Sequence, residues 1–306
     1  MTALSRREFV RLGAAGAVAA PLVLDPTRAR AATPTAQDVV DRVRTSLGVE
    51  WRGDTVDTFK GGDPSTTVTG IVTTSLATID VMRRAVKAGA NMIVTSGPTF
   101  YSRTDRPSPP AGRGRGAPAT PPPADPVFAA KNQFIKTNNL VVWRFSDHWR
   151  LRTPDPFTTG LIGALGWTKY RATDNPLTVT VPSIAFDRLF DDVNGRLNAR
   201  GGLRIVGTPQ MRVRRIGFLP GSVPIQATLK VLPHVDALIA GEIREWESSE
   251  YARDTVSEGL PRALILLGRS LSEDPGMNAC AEWLKTIVPD VRCRWISAGD
   301  PYWRPA

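Results

Sequence analysis

Carboxylates and one imidazole recur just beyond the apolar runs of this chain. Ser96 and Gly97 follow Met92–Thr95, and Asp147 and His148 follow Val141–Phe145. Asp155 stands behind Pro154, Glu242, Glu245 and Glu247 follow Ala237–Ala240, and Arg269 and Glu273 follow Ala263–Leu267. Carboxylate oxygen and neutral imidazole nitrogen are the usual ligands of divalent ions, and the same groups move protons. The set is short of nitrogen, because His148 and His234 are the only histidines. Serine is a weak ligand, glycine has no side chain, and arginine does not deprotonate to ligate anything. Asp147 and His148 could still hold one ion with Asp155 or Glu273; the other reading makes His148 a hydrogen-bonded loop residue. Glu242 reads either as a pocket acid or base or, with Glu245 and Glu247, as a helix-start carboxylate favoured by the dipole. His234 has no partner in view.

The elements around these residues alternate. Thr35 and Asp38 can cap a helix carrying Val39, Val40, Val43 and Leu47. Val68–Thr73 and Met92–Thr95 read as strands flanking a helix over Leu76–Ala88, so Ser96 leaves the carboxyl edge of a sheet, where α/β folds place their sites. Further strands are expected at 140–145, 177–181, 204–206, 213–219, 237–240, 263–267 and 291–296. Helices are expected from Asp125–Pro126 onward and at 157–165, 184–197, 245–258 and 277–287. The class is α/β throughout. Trp143, Trp149, Trp167, Trp283, Trp295 and Trp303 read as core and subunit contacts rather than a cofactor cage.

In order, the motifs are Ser96-Gly97-Pro98, Ser146-Asp147-His148-Trp149-Arg150, Pro154-Asp155, Gly241-Glu242, Gly268-Arg269-Ser270-Leu271-Ser272-Glu273 and Gly299-Asp300-Pro301-Tyr302-Trp303. This series resembles the NGG-interacting-factor-like, dinuclear-metal-centre hexameric family, whose bacterial members are often labelled type 2 GTP cyclohydrolase I. The resemblance spans nearly the whole mature chain. It implies two α/β lobes with mixed sheets in a toroidal hexamer, and two divalent ions per subunit.

Relatives carry His-His-Pro or His-Glu-Pro at 96–98, His-Asp-His-Trp-His at 146–150 and Gly-His-x-x-x-Glu at the Gly268 motif. Carried over residue by residue, the ligand positions are Ser96, Gly97, Asp155, Arg269 and Glu273, of which only Asp155 and Glu273 keep a ligating group. The expectation is metal absent or at reduced occupancy, with the Arg269 guanidinium between the two carboxylates. Two functions follow from the resemblance: a ligand- or partner-binding ring without full catalysis, or a residual metal-dependent hydrolase acting on a small nucleotide-like molecule.

The rest of the chain bounds the setting. Ser5-Arg6-Arg7-Glu8-Phe9, an apolar Leu12–Leu24 and Ala29-Arg30-Ala31 read as a twin-arginine signal over 1–31, cut before Ala32. The expected location is outside the cytoplasm, with no membrane span after signal removal. The formal charge of +10 includes a net three from the signal, leaving about seven on some 275 mature residues. Part of that excess lies in the Pro/Arg/Gly tract at about 103–124, which has almost nothing to bury and is expected to be a disordered insertion. Charge held in such a tract argues against a shaped nucleic-acid site. Export would permit a disulfide, but Cys280 falls on a helical pattern and Cys293 on a strand, so no spacing rule demands one and two buried free thiols are the favoured reading.

Overall fold

The computed structural model describes residues 33–102, 105, 125–200 and 202–302. The signal, the insertion apart from Asp105, and Trp303 lie outside the described residues.

The chain order is α1 (Ala36–Ser46), β1 (Phe59–Gly61), β2 (Ile71–Thr74), α2 (Ile79–Lys87), β3 (Met92–Thr95), α3 (Pro126–Thr137), β4 (Val141–Arg144), α4 (Asp147–Arg150) and α5 (Pro156–Ala164). There follow β5 (Thr178–Ala185), α6 (Phe186–Arg196), β6 (Arg204–Val206), β7 (Arg212–Ser222), α7 (Ile225–Val231), β8 (Ala237–Glu242), α8 (Glu250–Ser257), β9 (Ala263–Leu266), α9 (Arg269–Ile287) and β10 (Cys293–Trp295). Thr35 closes a capping box with Asp38 at the start of α1, as its spacing predicts. Asp125 and Pro126 start α3 in the same manner, the Asp accepting from Val127 and Phe128.

Two mixed five-stranded sheets result, in the orders β1-β4-β3-β2-β10 and β5-β7-β8-β9-β6. In the first, β4, β3, β2 and β10 are parallel and β1 is an antiparallel edge. In the second, β7, β8 and β9 are parallel, with β5 and β6 antiparallel at the two edges. The central strands β2, β3, β4 and β9 are buried residue for residue, as parallel strands covered on both faces must be.

α9 joins the lobes. It packs on β2 and β10 of the first sheet, on β7 and β8 of the second, and along α5. The chain then returns to the first sheet as β10. Trp143, Phe145 and Trp149 are buried; Trp143 stacks on Phe145, and Phe145 and Trp149 both pack against Trp283 of α9, so these tryptophans serve the core.

β1, α4 and α7 were not expected from the sequence, and two expected helices differ in extent. α9 begins at Arg269, eight residues before the expected start, and carries Pro275 inside it. Proline removes one backbone donor, but the flanking turns are held by packing against α5 and both sheets. The expected helix over 245–258 is a π-helical turn at Glu245–Ser249 followed by α8. Among the described residues no helix is long and apolar enough to cross a membrane.

Candidate functional site

The carboxyl ends of the parallel strands of both sheets open on one cavity of about 1050 Å³. Leu76 after β2, Pro98 after β3, Ser146 after β4, Ser222 at the end of β7, Glu242 at the end of β8 and Arg269 after β9 all line it. Strand ends supply backbone groups without partners and turns without side-chain bulk, so α/β proteins bind ligands there.

Because α9 starts at Arg269, Arg269 and Glu273 stand one turn apart on a single helix face. Their nearest atoms, Arg269 Nε and Glu273 Oε2, are 3.4 Å apart. Ser96 Oγ donates to Glu273 Oε2 at 2.9 Å. The position between the two carboxylates, where Arg269 was expected, is taken by Arg150. Its two terminal nitrogens donate to Asp155 Oδ2 at 3.2 Å and to Glu273 Oε1 at 3.3 Å. Arg150 comes from α4, close enough to reach both acids, and its plane lies 4.3 Å above the Phe157 ring. Arg269 is bound by geometry to the start of its own helix and meets Glu273 from one side only.

Asp155 has a second task. Its Oδ1 accepts from Phe157 N at 3.0 Å and its Oδ2 from Thr158 Oγ1 at 3.1 Å, which caps α5. Gly221 closes the floor: its φ is +86°, and a Cβ there would run into Glu273 Oε1 and stand 3.0 Å from Arg150. Gly97 is similarly constrained, since a Cβ would meet Leu76 and lie 2.7 Å from the Ser75 carbonyl oxygen.

His148 is turned away from this group. It is fully buried and stacks on Trp51 with ring centroids 3.8 Å apart. Nε2 accepts from Arg52 N at 2.8 Å, so Nδ1 carries the proton and faces Asp57 Oδ2 at 2.7 Å. Both ring nitrogens are therefore engaged, and His148 sits inside α4 rather than in a loop. Asp147 does line the cavity, while its Oδ2 accepts from Thr55 Oγ1 and Val56 N at 2.9 and 3.1 Å. Glu242 lines the cavity, and among the described residues its carboxylate has no hydrogen bond or ion pair.

Asp57 was missed by the sequence reading. This buried carboxylate accepts from the backbone N–H groups of Ser146, Asp147 and His148 at 2.6, 3.0 and 2.8 Å, and so caps α4 from a distant loop. It fixes the helix that delivers Arg150. The only sequence signal was the turn-rich stretch over 54–64 that precedes β2.

Asp105, inside the stretch expected to bury nothing, is a buried carboxylate. It pairs with Arg144 at 3.1 Å and Lys60 at 3.6 Å and accepts from the backbone of Thr99 and Phe100. Lys131 lies nearby under Phe100 and Tyr101 and donates to the Thr99 carbonyl at 2.5 Å. Burial drives its pKa down to about 8, against the pull of Asp105.

The donor set does not suit a dinuclear metal centre. Ion-pair contacts to guanidinium groups take up lone pairs of both carboxylates that an ion would use. Among the described residues no three His, Cys, Asp or Glu side chains come together as a metal-holding group.

These features define an α/β protein of two mixed sheets with a charged cavity at their carboxyl edge. No protein-family model matches the chain, and no curated protein matches it. Solved structures do. A Bacillus cereus protein related to NIF3 superposes with a TM-score of 0.67 at 11% identity, over 89% of this chain and 100% of its own. Staphylococcus aureus protein SA1388 gives 0.64 at 15%, over 89% and 100%. Protein ybgI, described as of unknown function, gives 0.62 at 16%, over 88% and 100%. At these identities the likeness shows the fold: the chain shares over 89% of its length the fold of the protein related to NIF3.

Proposed function

We propose that this protein is an exported, ring-forming binding protein built on the NIF3 fold, with a degraded metal site and without full catalysis. The observation that carries the reading is Arg150. A guanidinium bridging Asp155 and Glu273 offsets part of the negative charge that metal ions would otherwise offset, and it does so without an open coordination position. Arg269 adds a second fixed cation on the other side of Glu273. A divalent ion would have to displace one guanidinium and stand beside the other. The large cavity remains, and its walls keep polar and apolar groups suited to a ligand. Export rests on the twin-arginine segment, and the hexameric ring on the family resemblance.

The test is elemental analysis of dialysed protein purified by its own export route. The expected content is well under two metal ions per subunit, measured beside a variant carrying Ser96→His, Arg150→His and Arg269→His, which should gain metal. Wild-type protein with close to two ions per subunit refutes the reading and favours a metal-dependent hydrolase using Asp147 and Glu242 as replacement ligands. Subunit number by light scattering and fractionation of cells expressing Arg6→Lys/Arg7→Lys check the ring and the export separately.

A further inference from the structure

Beside the cavity, one buried acid faces three cations. Asp105 pairs with Arg144 at 3.1 Å and with Lys60 at 3.6 Å, and Lys131 stands within its electrostatic reach. The side chains of Asp105, Arg144 and Lys60 are 3%, 6% and 8% exposed, and Lys131 is buried as well. Among the described residues Lys60 has no other ion pair, and Lys131 has none within 4.0 Å; its ammonium donates to the Thr99 carbonyl. Burying cations without a counter-charge is costly, so this cluster calls for an anion.

The remaining groups around Asp105 are donors too. Its Oδ1 accepts from two consecutive amides, Thr99 N and Phe100 N, the second at 3.0 Å. Neighbouring backbone N–H groups turned to one point in a tight loop form a concavity that binds anions. Thr99 Oγ1 is buried there without a partner among the described residues, which leaves one hydroxyl to spare. Asp105 reaches this place by a local turn: its own N donates to Ser102 O at 3.0 Å, and its φ is +59°.

We infer that the loop after β3, with Lys60 and Arg144, forms a pocket for a small oxyanion of carboxylate or phosphate type, and that the chain fills this pocket with its own Asp105. The pocket is separate from the Asp155–Glu273 network, and the inference depends on neither the metal reading nor the binding reading. Its consequence for the cavity is positional. Arg144 lines the cavity and its Nε donates to Ser96 O at 3.2 Å, while Pro98, Tyr101 and Ser102 of the same loop supply part of the wall. Asp105 is thus a positioning residue: its charge holds Arg144, and its oxygens gather the loop.

The test is rescue by a free anion. Asp105→Gly removes a group the size of acetate and puts at this position the residue most at ease with a positive φ. Asp105→Asn removes the charge but keeps the space filled, and asparagine also tolerates the left-handed region. Melting temperatures of the full chain, wild type and both variants, are measured in sodium chloride, sodium acetate and sodium phosphate at matched ionic strength. Each is read as the difference from wild type in the same salt, which cancels general salt effects. In chloride both variants should melt about 10 °C below wild type, the scale of a broken buried ion pair. Acetate or phosphate should restore at least half of the loss in Asp105→Gly, by an amount that grows with the logarithm of anion concentration. Recovery in one salt and not the other names the oxyanion the pocket prefers. Asp105→Asn should stay low in every salt, because its pocket is occupied. If Asp105→Gly does not fold in chloride, the yield of refolding from urea with and without acetate or phosphate gives the same reading. No loss in Asp105→Gly, a loss that neither oxyanion relieves, or equal relief of Asp105→Asn overturns the inference.

Discussion

Replacing Arg150 by alanine separates the observed network from the one the sequence suggested. Arg150 donates to Asp155 at 3.2 Å and to Glu273 at 3.3 Å, and Glu273 has only 2% of its side chain exposed. Breaking a fully buried ion pair costs about 3–5 kcal/mol, and an exposed one about 0–1 kcal/mol. Arg150 is itself 37% exposed, so solvent screens part of its contribution. Glu273 also retains Ser96 and Arg269 after the change. An intermediate loss of about 2 kcal/mol follows, with roughly 0.5 kcal/mol more from the contact over Phe157. For a protein of this size that lowers the melting temperature by about 5–10 °C.

Arg269→Ala removes one ion-pair contact that is not a hydrogen bond and relieves a buried unpaired donor, so it should cost under about 1 kcal/mol. Arg150→Lys should recover less than half of the loss, since an ammonium does not fork across two carboxylates. The assay is urea denaturation of the three variants and wild type at low and high salt. If Arg269→Ala costs as much as Arg150→Ala, the bridge is not where the energy lies and the reasoning fails.

Further outcomes concern buried groups away from the cavity. The Lys131 pKa of about 8 lies below that of an unfolded lysine, so the folded state holds fewer protons between the two values and gains stability as pH rises from about 8. Comparing wild type with Lys131→Met cancels the other titrations; the difference should move by about 2 kcal/mol in favour of wild type between pH 7 and pH 10, and a constant difference refutes it. Cys280 and Cys293 are free, and burial raises both thiols, Cys293 to about 11, so neither should react with a thiol reagent until denaturant is added. Rapid labelling of native protein counts against this. Gly221→Ala should destabilise by several kcal/mol, because the site combines a positive φ with a Cβ aimed at Glu273, and a normal melting curve for it refutes the packing described.

Strands were the most legible part of the sequence. Met92–Thr95 and Ala263–Leu266 are short, apolar and bounded by turn residues, and β3 and β9 occupy those places. Helix boundaries were less so. The Pro275-Gly276 pair reads as a break, and nothing local reveals that α9 is held through it by two sheets and α5. That error placed Arg269 and Glu273 on a loop instead of one helix face. β1 has three residues and no alternation to betray it. The candidate site was legible as a set of positions: Ser96, Asp155 and Glu273 do converge on one network. Its wiring was not, because the reach of Arg150 depends on where Asp57, some ninety residues earlier in the chain, pins α4.

On the degraded-site reading proposed above, Gly97 adds a backbone obstacle to metal binding. The family pattern places a histidine or glutamate at this position, the second of two adjacent ligands. In this protein Gly97 N donates to Ser75 O at 2.8 Å, which draws the chain after β3 against the end of β2. Any Cβ would then stand 2.7 Å from that same carbonyl oxygen, closer than real Cβ atoms approach backbone. The side chain cannot be restored without shifting the backbone of β2 or β3, both of which are buried along their whole length. Ser96, by contrast, has a side chain aimed at Glu273 and is the position where a larger ligand meets the network directly. The arginines fill the charge balance and the backbone at Gly97 excludes the ligand, so the two changes reinforce each other. On that reading, Ser96→His with the two arginine changes restores nitrogen ligands around Glu273, while position 97 stays closed to a side chain.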